Sequence, residues 1–162
     1  MSAYGASKLL GEQAVLSAQA PGFYVARTAW VFGPGGRNFP KAILDRARSG
    51  QPMRVVTDQV GCPSMTRDLA TAMVDLVLSG AVPGIYHMAN EGCCSWHQFA
   101  CEILAGAGIK AEVGTMASSE LDRPAQRPAY SVLDCSRLAE VRGRPLPSYQ
   151  DALSRYLEEE LS

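Results

Sequence analysis

The chain has 162 residues, enough for one domain with a real hydrophobic core. Its 15 basic and 16 acidic side chains leave a formal net charge of −1, so no basic field exists to hold a phosphate backbone, which argues against nucleic acid as a partner. No apolar run is long enough to span a membrane, and the N-terminus lacks the charged and apolar regions of a secretory signal, so a cytoplasmic protein is expected.

Residues 5–19 carry Leu9, Leu10, Ala14 and Val15 with few breakers until Pro21-Gly22, which predicts a helix. "FYVARTAWVF" (23–32) is nearly continuous in apolar and β-branched residues. It predicts a buried central strand that leaves the sheet at Gly33-Pro34-Gly35-Gly36. A helix is expected over about 38–49, closed by Gly50, and a short strand over 53–57. Thr66 is a candidate cap for a helix with Leu69, Met73, Leu76 and Val77 on one face, ended by Gly80. "GIYHMAN" (84–90) predicts a strand. Ser95 and Gln98 form an S-x-x-Q capping box for a helix to about Ala105. Residues 110–116 predict a strand, and Ser148 caps a last helix with Leu153, Tyr156, Leu157 and Leu161 as its apolar stripe. Strands alternating with helices imply an α/β architecture with a largely parallel sheet.

Five cysteines (Cys62, Cys93, Cys94, Cys101 and Cys135) show no metal-ligand spacing and no even framework, so reduced thiols in or near the core are expected. His87 on a strand and His97 on a helix fit structural roles. The chemistry-bearing spacing is Tyr4-x-x-x-Lys8. On a helix, positions four apart share one face. A phenol is a reluctant proton donor at neutral pH, and an ammonium one turn away stabilises the phenolate left behind. A tyrosine so placed can protonate a carbonyl oxygen as hydride reaches the carbon. The spacing alone is weak, since any helix containing Tyr and Lys can show it.

The surrounding segments are more specific. "YGASKLLGEQAV" with "RTAWVFGPGGRNF" resembles the extended short-chain dehydrogenase/reductase superfamily. "VVTDQVGCPSMTRDLA", "GIYHMANEGCCSWHQFACEIL", "RPAYSVLDCSRL" and "LPSYQDALSRYL" resemble the dTDP-4-dehydrorhamnose reductase family, in the family's order and over nearly all of the chain. The resemblance implies NADPH-dependent reduction of dTDP-4-dehydrorhamnose to dTDP-L-rhamnose. Tyr4 would be the general acid and Lys8 its electrostatic and ribose-binding helper. It also places Trp30, Asn38, Gln59 and Arg127 on the sugar-nucleotide side, with Arg127 offering a guanidinium fork to a diphosphate. Each of these four has a competing reading from its own neighbourhood. Trp30 fits a core residue of an apolar strand, Asn38 a helix cap, Gln59 a turn-shaping residue and Arg127 a surface arginine.

In the family that the chain resembles, the Tyr helix comes late, after a βαβ array with a Gly-rich dinucleotide fingerprint. No such fingerprint follows a strand here, and no Ser or Thr can be given the third catalytic role. The expected fold is therefore the C-terminal part of a Rossmann-like parallel sheet plus a small α/β substrate-binding subdomain. Residues 1–162 would form one domain that resembles the C-terminal half of a reductase and lacks its N-terminal dinucleotide-binding unit. NADPH binding by this chain alone is not expected, and no metal is expected. A non-catalytic sugar-nucleotide- or partner-binding module remains the alternative, as does one half of a split reductase. A homo-oligomer or a separate N-terminal half is the expected protein partner.

Overall fold

The computed structural model describes residues 3–18, 22–121 and 127–162. Helix α1 (Ala3–Ser17) comes first, as expected. The predicted strand at 23–32 is instead two strands, β1 (Tyr24–Arg27) and β2 (Val31–Phe32). The break falls at Trp30, whose φ of +48° is the left-handed region, where a Cβ crowds the backbone. A strand cannot run through such a residue, so the two halves take different neighbours. β1 lies parallel to β6 (Gly84–His87), with Tyr24 opposite Gly84 and Arg27 opposite His87. β2 lies parallel to β5 (Ser64–Met65). Nor is β1 a buried central strand: Ala26 and Arg27 are exposed, and β6 is its one neighbour among the described residues.

The remaining sheet pairs are β3 (Met53–Val56) parallel to β8 (Val113–Met116), and β4 (Val60–Gly61) antiparallel to β7 (Cys94–Ser95). Helices α2 (Phe39–Arg48), α3 (Thr66–Leu78), α4 (Trp96–Gly106), α5 (Ser136–Arg142) and α6 (Tyr149–Glu160) alternate with or follow them. This is a mixed α/β fold in which three of the four strand pairs among the described residues are parallel.

Helix starts follow the sequence closely. Asn38, Ser95 and Ser148 each accept a hydrogen bond from the backbone N–H three residues on, satisfying an N–H that the helix leaves free. Thr66 does not cap α3; it is the first helical residue, after Met65, which makes no side-chain cap. The predicted capping box at Ser95 is only half made, because the Gln98 amide donates to Glu102 Oε1 at 2.9 Å instead of turning back. On α3 the buried residues are Leu69, Ala72 and Leu76, while Met73 and Val77 face outward. Leu161 lies beyond the end of α6 and is exposed, so it does not extend that helix's buried stripe.

Two clusters of buried side chains form the core. One gathers Phe32, Ile43, Leu44, Met53, Phe99, Ile103 and Tyr156 between α2, α4, α6 and the β3–β8 pair. Phe32 meets Phe99 and Tyr156 edge-on, with ring centroids 5.6 Å and 5.5 Å apart. The other gathers Leu69, Ala72, Leu76, Tyr86, Met88 and Leu138 around β6, α3 and α5. Buried Asn90 links the two. Its Oδ1 accepts from Met65 N, and its Nδ2 donates to Asp68 Oδ2 and Pro147 O. Asp68 in turn receives two hydrogen bonds from Arg155 on α6.

The thiols are free: Cys62 and Cys94 are buried, and Cys93 and Cys101 exposed. Burial pushes the Cys94 thiol up to about 12, so it stays protonated at neutral pH. His87 and His97 spend ring nitrogens on the carbonyls of Asp134 and Val113, in keeping with structural roles. No helix among the described residues is long and apolar enough to cross a membrane.

Candidate functional site

Helix α1 buries no residue, so Tyr4 and Lys8 stand on an open face. Tyr4 is 57% exposed, and Lys8 Nζ lies 5.6 Å from the centre of its ring. The Arg127 guanidinium, from a segment far along the chain, comes within 5.8 Å of the same ring. The phenol is thus flanked by two cations. Arg127 is exposed and has no ion-pair partner among the described residues.

The segment after Arg127 connects this cluster to the turn at residues 59–63. Val60 N donates to Ala129 O at 2.8 Å, and Ser131 N donates to Val60 O at 2.9 Å. Gln59 adjoins this pairing. It is only 8% exposed, yet its side chain makes no hydrogen bond with the described residues.

Gly61 lies in β4 against Trp30: a methyl group there would sit 2.5 Å from Trp30 Nε1 and 2.8 Å from Cζ2. Only a residue without Cβ allows this approach. Trp96 lies parallel to Trp30, with ring centroids 3.6 Å apart and planes 9° apart.

Asn38 is the predicted site residue most fully committed to the fold. Its Oδ1 accepts from Lys41 N and from the Tyr156 hydroxyl, and its Nδ2 donates to the carbonyls of Gly33 and Gly36. These bonds use all of its hydrogen-bonding groups. The structure therefore brings Tyr4, Lys8 and Arg127 together, places Gln59 next to β4 and Trp30 against it where β4 pairs with residues 129–131, and holds Asn38 as the cap of α2.

The loop at Gly33–Gly36 does not fit the diphosphate of a dinucleotide. Thr66 packs against the place where a Gly33 side chain would stand, and Asn38 already takes the Lys41 N–H at the start of the following helix. Among the described residues no cluster of His, Cys, Asp and Glu is arranged to hold a metal ion. A cleft of about 490 Å3 opens at the carboxyl end of β6, between Asn90–Cys93 and Val132–Ser136, with Cys62 in its wall. Open α/β sheets take ligands at such strand ends. Tyr4, Lys8 and Arg127 do not line it; they stand on the open α1 face.

A family model described as the RmlD substrate binding domain matches residues 1–162. The chain belongs to this family. It is 40% identical to the spore coat polysaccharide biosynthesis protein SpsK of Bacillus subtilis, over 98% of this chain and 55% of that protein. It is 41% identical to a dTDP-4-dehydrorhamnose reductase of Mycolicibacterium smegmatis, over 93% of this chain and 46% of that protein. Among solved structures, a dTDP-4-dehydrorhamnose reductase from Bacillus anthracis in complex with NADP superposes with a TM-score of 0.89 at 33% identity. That match covers 96% of this chain and 55% of the other. The chain spans about half the length of the curated relatives it matches. Its fold is that of the matching part of these Rossmann-like reductases.

In the sequence Trp96 stands out only as an apolar residue after the capping Ser95, and Gly61 only as part of the turn at residues 59–63. Nothing in their spacing points to Trp30.

Proposed function

We propose that this chain is the substrate-binding and proton-donating part of a sugar-nucleotide reductase that converts dTDP-4-dehydrorhamnose to dTDP-L-rhamnose. The observation that carries this reading is the convergence of Lys8 and Arg127 on the exposed ring of Tyr4. The relatives' names supply the substrate class.

In this reading Arg127 holds the diphosphate and Trp30 and Gln59 bound the sugar side. The Tyr4 hydroxyl gives its proton to the carbonyl oxygen at the sugar C4, and the O–H bond of the product alcohol forms there. Lys8 stabilises the phenolate that remains. A reduced nicotinamide dinucleotide, when bound, supplies the hydride to the carbonyl carbon. The diphosphate site of that dinucleotide lies outside the described residues of this chain. Residues 1–162 thus correspond to the C-terminal, substrate-binding half of a reductase. The same half acting as a binding module without redox chemistry is the second reading, favoured by Thr66 packed against Gly33 and by Asn38 holding the Lys41 N–H at the start of α2.

Calorimetric titration of the purified chain with dTDP-L-rhamnose tests the binding role. Joining the chain to the dinucleotide-binding half of a relative, then assaying carbonyl reduction, tests the catalytic one. Binding without activity in the joined protein leaves the binding-module reading standing. Absence of binding in both overturns the proposal.

A further inference from the structure

The chain has two tryptophans, and they are stacked on each other. Trp30 is the one non-glycine residue with positive φ among the described residues. So disfavoured a conformation persists only where the surroundings over-determine it, and such residues cluster at ligand sites. Here the surroundings are identifiable. Gly61 leaves room for the indole on β4, and Trp96 lies parallel to it. Phe39 braces Trp96 with ring centroids 4.5 Å apart, and Phe39 itself stacks on buried Phe99. A line of rings therefore runs from the core to Trp30. The two middle rings sit on the first residues of capped helices, Phe39 after Asn38 and Trp96 after Ser95. Both are thereby anchored to rigid elements rather than to loops.

We propose that Trp96 is a positioning residue that holds the Trp30 indole as a preformed wall for the sugar ring of a nucleotide sugar. This rests on the reading of Trp30 as a sugar contact. Trp96 itself acts through Trp30: it fixes the indole before the ligand arrives, so no side chain has to be ordered on binding. Apolar sugar faces suit a flat aromatic surface whose orientation is set in advance.

The stack gives its own spectroscopic signature, since both indoles of the chain belong to it. Circular dichroism of the purified chain is expected to show the exciton couplet of stacked indoles, lost in Trp30→Ala and in Trp96→Ala. Calorimetry with dTDP-L-rhamnose and with dTDP gives the preference for the sugar-bearing ligand. Trp96→Ala is expected to reduce that preference roughly three- to tenfold, the range of one aromatic pair, with the affinity for dTDP itself unchanged. The double variant Trp30→Ala/Trp96→Ala is expected to match Trp30→Ala alone, because Trp96 has no route to the ligand except through Trp30. Trp96→Phe keeps a ring in place and is expected to restore most of the preference, which separates positioning from failure to fold. A wild-type preference that survives Trp96→Ala, or losses that add in the double variant, overturns the role of Trp96 alone. A wild-type chain that binds dTDP and dTDP-L-rhamnose equally overturns the sugar contact of Trp30 and the proposal with it.

Discussion

Arg27 on β1 grips Glu12 on α1 with both arms of its guanidinium, Nε to Oε2 at 2.8 Å and Nη2 to Oε1 at 2.6 Å. Because α1 buries no side chain, this bidentate pair is a principal tie between the Tyr4-bearing helix and the sheet. The hydrogen bonds from Arg27 hold the Glu12 carboxyl below its ordinary value of 4.5. A depressed folded-state value means stability that is present above 4.5 and lost as pH falls through the lower, folded value. Acidification below about pH 4.5 is therefore expected to release α1 first, and Glu12→Gln to do the same at neutral pH, at a cost of roughly 0.2–1 kcal/mol. Hydrogen exchange of the α1 amides measures it. Unchanged α1 protection in the Gln variant would mean that other contacts hold the helix.

Tyr4→Phe, in the chain joined to a relative's dinucleotide-binding half, should lower kcat by about 10²–10⁴-fold while sugar-nucleotide affinity stays near normal. The hydroxyl is used only as the carbonyl oxygen gains its proton. Lys8→Met should depress rate and cofactor affinity together. Steady-state kinetics with a separate ligand-binding assay reads both, and near-normal turnover in the Phe variant removes Tyr4 from the acid role.

Arg127→Ala should weaken dTDP-sugar binding by about 1.5–3 kcal/mol, the worth of a hydrogen bond to a charged group. Its guanidinium has no competing carboxylate among the described residues, so the loss should come from the ligand rather than from the fold. Calorimetry of the two proteins decides it: equal affinities place Arg127 on the solvated surface.

Gly61→Ala should destabilise the chain by roughly 1–3 kcal/mol, because the new methyl group collides with the Trp30 indole. The same change should shift tryptophan fluorescence, since the ring has to move away. A denaturant melt with the native emission spectrum unaltered would show that the indole yields at no cost.

The outer face of α1 carries Leu10 at 66% exposure and Val15 at 42%, and β1 has one open edge among the described residues. An apolar patch beside an unpaired strand edge is a template for association. The isolated chain should therefore self-associate as its concentration rises. Light scattering across a dilution series measures this, and a monodisperse monomer at all concentrations would show that neither surface is adhesive.

The local features were legible in the sequence because local chemistry makes them. Asn38, Ser95 and Ser148 start their helices with their own side chains, and the Tyr4–Lys8 spacing follows from helical geometry. The α/β class followed from the alternation of such segments. Tertiary structure alone decided the rest. "FYVARTAWVF" has every propensity for one strand, but its break at Trp30 depends on a ring from α4 and on the missing side chain of Gly61. Met73 and Val77 carry helical periodicity, yet which side of α3 is buried depends on where β6 and α5 lie. Arg127 meets Tyr4 only because Val60 pairs with the backbone at Ala129 and Ser131. Hydrogen bonds within a turn are encoded by neighbours in sequence. A contact between distant segments is set by the packing of the whole core, which no single stretch of the chain specifies.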